Sequence, residues 1–225
     1  MLVSEAEWLG KALSVMPLAE VSPCLNLGSS TADFRTVIQP HIHDQIIAPN
    51  EARGVSFIHA DEKDAPGVDV VGDIFDPECQ ALLESIRPAS ILCCNMFEHV
   101  TDRSALVAVC KRIVRPGGYV IVSVPFSYPY HADPIDTYFR PDPDELMALF
   151  TGCERVSSSI VSDQSYWQEF LHNNRKYRLL KLLKLILRLC VPLYKWETWK
   201  HKAHSVFWLY RPYKVSVVVL QVRGG

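Results

Sequence analysis

Short apolar runs alternate with helix-spaced segments along most of this chain. Pro23 to Leu27, Val55 to Ala60, Val68 to Val71, Ile91 to Cys94 and Tyr119 to Val124 are runs of strand length. Each but the last is closed by a glycine or polar tip. Between the last two, Leu106, Val109, Cys110, Ile113 and Val114 recur at the spacing of one helix face. Asp102 stands where an N-cap belongs, and Gly117-Gly118 follow as a stop. Pro77 to Ile86 predicts a second helix with Pro77 in its first turn. Asp144 to Phe150 predicts a short third one. Trp8, Leu9, Ala12, Leu13 and Met16 predict an amphipathic lead helix. Val156 to Val161 and Lys214 to Val222 read as two more strands. Strands separated by helices predict a parallel sheet, and the unbroken run Tyr119 to Val124 predicts one covered on both faces.

The chain has 225 residues, which suits a single α/β domain with an elaboration. Its 48% apolar and 21% charged residues are ordinary globular values. The net charge of −2 hides an asymmetry. Arg175 to Lys202 holds nine Lys/Arg and one acid, Glu197, leaving 14 basic and 24 acidic residues in the rest of the chain. Seven cysteines, without a C-x-x-C pair or zinc spacing, read as small core residues of a chain in a reducing cytosol. No metal is expected. The first 20 residues carry no signal-peptide pattern.

In an open parallel sheet, ligands bind at the carboxyl ends of the strands. Those ends carry Gly28-Ser29-Ser30, Asp61, Gly72-Asp73 and Asn95-Met96, in that order. A glycine after the first strand lets backbone approach a ligand. An acid after the second can hold two ribose hydroxyls, and one after the third can accept from an exocyclic amine. This order suits a nucleoside-type cofactor. No G-x-G-x-x-G follows a strand, which disfavours a dinucleotide oxidoreductase.

Leu25-Asn26-Leu27-Gly28, Val68-Asp69-Val70-Val71-Gly72-Asp73, Phe97-Glu98-His99-Val100 and Arg115-Pro116-Gly117-Gly118 resemble the motifs of the class I S-adenosylmethionine-dependent methyltransferases. The resemblance runs from about Val21 to Val161. It is to the group with a Leu-Glu-His-like motif after the fourth strand. It implies a Rossmann-like, seven-stranded, mostly parallel sheet with an antiparallel last strand and helices on both faces. A single methyltransferase-like domain is expected over 1–225. It would comprise a lead helix (1–20), a cofactor core (21–163), a helical basic insertion (164–212) and a final strand (213–225). The cofactor implied is S-adenosylmethionine, leaving as S-adenosylhomocysteine. Asn26, Leu27, Gly28, Ser29 and Ser30 would pass under its methionyl part and Asp61 would hold the ribose. Asp73 with Ile74 would read the adenine, and Asn95 and Met96 would face the methionyl end. Ser30 and Ala32 stand where the family has further glycines. The connection from Gly28 to Asp61 is long, which makes Asp44 a competing ribose ligand.

The loop after the fifth strand, Ser127 to Arg140, resembles a Tyr-His-x-x-Pro-x-Asp-x-x-Arg segment of the same group. It offers His131 as a base, with Asp133 or Asp136 to orient it. Arg140 either clamps an anionic acceptor or pairs with Asp136. Glu98 and His99 precede a helix, where capping competes with chemistry. His99 is the weaker catalytic candidate. Between Arg175 and Val191, eight Leu/Ile residues interleave with Lys181, Lys184 and Arg188, and Trp196, Trp199 and Trp208 follow. That run is too short to span a bilayer. It suits an anionic membrane surface, a homodimer partner or packing on its own domain; nucleic acid is disfavoured. The function expected is methyl transfer to a small molecule, glycan or lipid-linked intermediate. The location expected is the cytoplasm, peripheral to the inner membrane face. The competing expectation is a non-catalytic, methyltransferase-like scaffold or partner subunit.

Overall fold

The computed structural model describes residues 1–131, 135–165 and 211–223. The basic segment Arg175 to Lys202 and Asp133 lie outside the described residues. In chain order the elements are α1 (Val3–Ser14), α2 (Leu18–Val21), β1 (Cys24–Leu27), α3 (Pro40–Ile42), α4 (Ala48–Glu51), β2 (Phe57–Asp61) and β3 (Val70–Val71). There follow α5 (Pro77–Ile86), β4 (Ser90–Cys94), α6 (Arg103–Ile113), β5 (Tyr119–Ser127), α7 (Pro143–Leu149), β6 (Cys153–Ser165) and β7 (Pro212–Val222). Two wide helical turns, Phe34–Ile38 and His43–Ile47, flank α3.

The seven strands form one sheet in the order β3-β2-β1-β4-β5-β7-β6. β1 to β5 are mutually parallel, and β7 runs antiparallel between β5 and β6. The predicted Rossmann-like sheet with its antiparallel last strand is therefore observed. β3 is shorter than predicted because Val68 belongs to a turn, its N–H donating to the Ala65 carbonyl. β6 is longer than predicted. Its two ends, Glu154-Arg155 and Ser162 to Ser165, are polar residues of an edge strand, so they carry no apolar-run signal.

Strand alternation sends side chains to two cores. Leu25, Leu27, Ile91, Cys93, Val120, Val122, Val218 and Leu220 pack with α5, α6 and α7. Cys24, Leu92, Ile121, Val217 and Val219 pack with α1 and the turn at Ile46. Period-2 alternation makes both sets from the same strands. α6 starts at its predicted cap: the Asp102 carboxylate accepts from Ala105 N at 2.9 Å. Gly117 takes φ +76 in the turn to β5.

The long connection between β1 and β2 is the second layer of the α1 face. Its turn at Gln45 crosses α1 at Gly10, where the backbones nearly touch. A Cβ at Gly10 would lie 1.9 Å from the Gln45 carbonyl oxygen. Helix propensity alone would make Gly10→Ala stabilising by about 1 kcal/mol. Overpacking against backbone outweighs this. Gly10→Ala is expected to destabilise by about 1–3 kcal/mol net in urea denaturation. Unchanged or raised stability would show that α1 is free to shift.

Candidate active site

β1 has neighbours on both sides that are connected in opposite directions, so the loops after β1 and β4 diverge and leave a cleft. The cleft measures about 640 Å³. One end is lined by Asn26, Gly28, Ser29, Ser30 and Asp61, the other by His99, Pro125, Tyr128 and His131, with Glu5 and Asn95 between them. A second hollow of about 250 Å³ opens off it, lined by Leu27, Gly72, Ile74, Leu83 and Met96. Of the expected cofactor residues, all but Asp73 line one of the two. The Asp73 carboxylate instead caps its own turn, accepting from Phe75 N at 2.8 Å.

The glycine-poor loop is shaped by side chains. Gly28 takes φ +69 and Ser30 takes φ +54, the left-handed region a family glycine would occupy more cheaply. The buried Arg35 holds the loop there. It donates to the carbonyls of Ser29 at 3.0 Å, Ser30 at 2.6 Å and Gly67 at 2.6 Å. Asp61 completes the frame: Ser30 N donates to one carboxylate oxygen at 2.7 Å and Lys63 N to the other at 3.1 Å. Asp44, by contrast, sits on an exposed helical turn beside His43 and lines neither hollow.

Asn95, at φ +52, does line the cleft, but its amide already has a partner. It donates to the fully buried Glu5 of α1 at 2.8 Å, and Ser123 Oγ donates to the same oxygen at 2.5 Å. The other Glu5 oxygen accepts from Leu2 N at 3.0 Å. The lead helix is therefore fastened to the ends of β4 and β5 and forms a cleft wall.

Glu98 corrects an expectation. Helix α6 is capped by Asp102, and the Glu98 carboxylate caps nothing. It is fully buried, and neither oxygen has a hydrogen-bond partner among the described residues. Burial pushes its carboxyl up to about 8, with the Glu5 and Asp136 charges adding to the rise and Arg140 opposing it. His99 Nε2 lies 3.7 Å away. His99 Nδ1 is hydrogen-bonded to the Ile135 carbonyl, which requires the proton on Nδ1. The His99 and His131 rings meet edge to face at 5.2 Å.

Asp136 organises the loop after β5. It takes a bidentate pair from Arg140, at 3.0 and 2.5 Å, and backbone N–H groups of His131 and Tyr138. Its carboxylate also lies 3.3 Å from His131 Nδ1. Arg140 further donates to the carbonyls of Tyr128, Pro129 and Phe139. The pair that folds the loop is thus the one formed, and Asp136 is seen against His131. Burial, with His99 and Arg140, lowers the His131 pKa against the raising effect of Asp136, so the ring is neutral at pH 7.

A family model described as a methyltransferase domain matches residues 89–122, covering β4, α6 and the start of β5. Over those residues the chain is similar to the methyltransferase-domain family. A ubiquinone biosynthesis O-methyltransferase of Alkalilimnicola ehrlichii is 26% identical over 111 residues, 48% of this chain and 39% of that protein. Another, from Paraburkholderia phymatum, is 39% identical over 74 residues, 33% of this chain and 31% of that protein. The chain thus spans well under half the length of these curated relatives. Coclaurine N-methyltransferase, solved with N-methylheliamine and S-adenosylhomocysteine, superposes with a TM-score of 0.54 at 13% identity. It covers 97% of this chain and 70% of that one, a likeness of fold.

Glu5, Arg35 and the buried state of Glu98 escaped the sequence. Glu5 left one trace, an acid on the apolar face of α1 four residues before Leu9. Arg35 binds backbone carbonyls, which leave no sequence signature.

Burial alone would raise the Asp136 pKa; its hydrogen bonds from Arg140, His131 N and Tyr138 N reverse this and hold it down to about 2. The pair therefore stabilises fully above the usual carboxylate range and is lost as pH falls through about 2. Asp136→Ala leaves Arg140 largely buried without its counter-charge. It is expected to cost about 3 kcal/mol at pH 7 by urea denaturation. A loss under about 1 kcal/mol would mean that the loop is held by other contacts.

Proposed function

We propose that this chain transfers a methyl group from S-adenosylmethionine to a hydroxyl oxygen of an acceptor seated at the His99–His131 end of the cleft. The observation that carries this reading is the continuity of the cleft. One groove joins the Gly28–Ser30 loop and Asp61 to the two histidines, so cofactor and acceptor can lie end to end. Methyl transfer is an in-line displacement: the acceptor oxygen bonds the methyl carbon as the carbon–sulfur bond breaks and its electron pair stays on sulfur. Holding two reactants in line supplies much of such a rate.

On this reading Asp61 accepts the two ribose hydroxyls, its carboxylate already oriented by Ser30 N and Lys63 N. Gly28, Ser29 and Asn26 face the methionyl part. The apolar hollow at Leu27, Ile74 and Leu83 takes the adenine ring. Asp73, being turned away, shapes that hollow through its turn. The cationic sulfonium is drawn to the Glu5 end, where a carboxylate is fixed beside Asn95.

An oxygen acceptor follows from the curated O-methyltransferase relatives and from the polar end of the cleft. The acceptor is taken as a small molecule, glycan or lipid-linked intermediate. Among the described residues no helix is long and apolar enough to cross a membrane. A membrane-surface role would rest on Arg175 to Lys202.

Asp61→Ala is expected to weaken S-adenosylhomocysteine binding at least a hundredfold by titration calorimetry, and Asp44→Ala to leave it within twofold. The reverse ranking would place the ribose on the other acid and contradict the assignment of β2.

A further inference from the structure

Glu98 poses a problem that methyl transfer alone does not solve. A fully buried carboxylate without a hydrogen bond is costly unless something positive or donating meets it. The nearby guanidinium of Arg140 is engaged by Asp136. What Glu98 faces instead is an imidazole nitrogen. With the His99 proton on Nδ1, donated to the Ile135 carbonyl, Nε2 is a lone pair. It stands 3.7 Å from Glu98 Oε1, beyond hydrogen-bond reach. His131 adds a third donor atom, and the three lie within 4.8 Å of one another.

Distance decides what belongs between them. A proton shared by Glu98 and His99 would draw the two atoms to about 2.7 Å. Donors around a metal with bonds of about 2.1 Å stand roughly 3.4 Å apart in tetrahedral geometry. The observed 3.7 Å matches the wider spacing. The Ile135 carbonyl fixes the ring and tautomer of His99, as oxygen partners do for metal-bound histidines. His131 Nδ1 is buried without a hydrogen-bond partner, with the Asp136 carboxylate 3.3 Å away.

We propose that Glu98, His99 and His131 form a binding site for one divalent first-row transition ion at the acceptor end of the cleft. Two imidazole nitrogens and one carboxylate are the donor set of zinc-, manganese- or iron(II)-type ions. Three protein ligands leave a position open, and His99 and His131 both line the cleft. The open position takes the acceptor's hydroxyl oxygen. That hydroxyl loses its proton to solvent through the cleft mouth, and the bound oxyanion becomes the nucleophile. This last step rests on the methyl-transfer reading; the ion site does not.

The test is a Co²⁺ titration of the full chain, reduced and without cofactor, followed by visible absorption and by thermal melting. Wild-type protein is expected to take up one equivalent, with ligand-field bands and a raised Tm. Glu98→Gln and His131→Asn should each bind at least tenfold more weakly, while His41→Asn, away from the site, binds as wild type. Circular dichroism checks that the variants fold. Glu98→Gln keeps the size and shape of the side chain, and the partly exposed His131 provides an independent second variant. The proposal is overturned by no uptake at millimolar Co²⁺, by uptake that Glu98→Gln leaves unchanged, or by a thiolate charge-transfer band reporting cysteine ligands. Ion binding without S-adenosylhomocysteine binding would contradict the methyl-transfer reading while leaving the ion site standing.

Discussion

The constraint on which the rest depends is the placement of β1 between β2 and β4, all three parallel. Their carboxyl ends then share one edge, while the chain leaves β1 and β4 toward opposite faces of the sheet. A cleft at that edge is a consequence of connectivity and needs no special residues. What the residues decide is its lining. Most groups assigned a role lie in segments that follow a strand end or on α1, which closes the edge.

Glu5 joins the two halves of this edge. Its carboxylate gathers Asn95 from the end of β4 and Ser123 from β5, and its own helix fills the hydrophobic face behind them. Burying a carboxylate is tolerable there because each oxygen accepts a hydrogen bond. Glu98, three residues after Asn95 in the same loop, is buried without any such bond. Two acids on one cleft thus have opposite states, one satisfied and structural, the other unsatisfied and facing two histidines. That contrast separates the part of the cleft built for stability from the part built for chemistry.

Much of the sheet was legible in the chain. Apolar runs gave β1, β2, β4, β5 and β7, and the Leu106-to-Ile113 spacing gave α6 with its Asp102 cap. Runs of polar residues hid the ends of β6, because an exposed edge strand need not be apolar there. The cofactor loop was half legible. Gly28, Asp61 and the Gly72 turn announced themselves by position, and Asp61 outranks Asp44 once the second is seen on an exposed turn. The absent glycines were misleading in isolation, since Arg35 and Asp61 hold Ser30 in a left-handed conformation that composition could not foresee. The partners of Asn95 and the burial of Glu98 were hidden for one reason. Their surroundings come from α1 and from the loop after β5, segments distant in sequence, so neither local spacing nor capping rules could reveal them.

Amide hydrogen–deuterium exchange with and without S-adenosylhomocysteine tests the central claim, that this strand edge is a cofactor site, without relying on any substitution. The account predicts slowed exchange in peptides carrying Gly28 to Ser30, Asp61 to Lys63 and Gly72 to Ile74, with the opposite sheet edge around Gly117 and Gly152 unchanged. Unaltered exchange at all three segments with millimolar ligand, or protection confined to other parts of the chain, would contradict it.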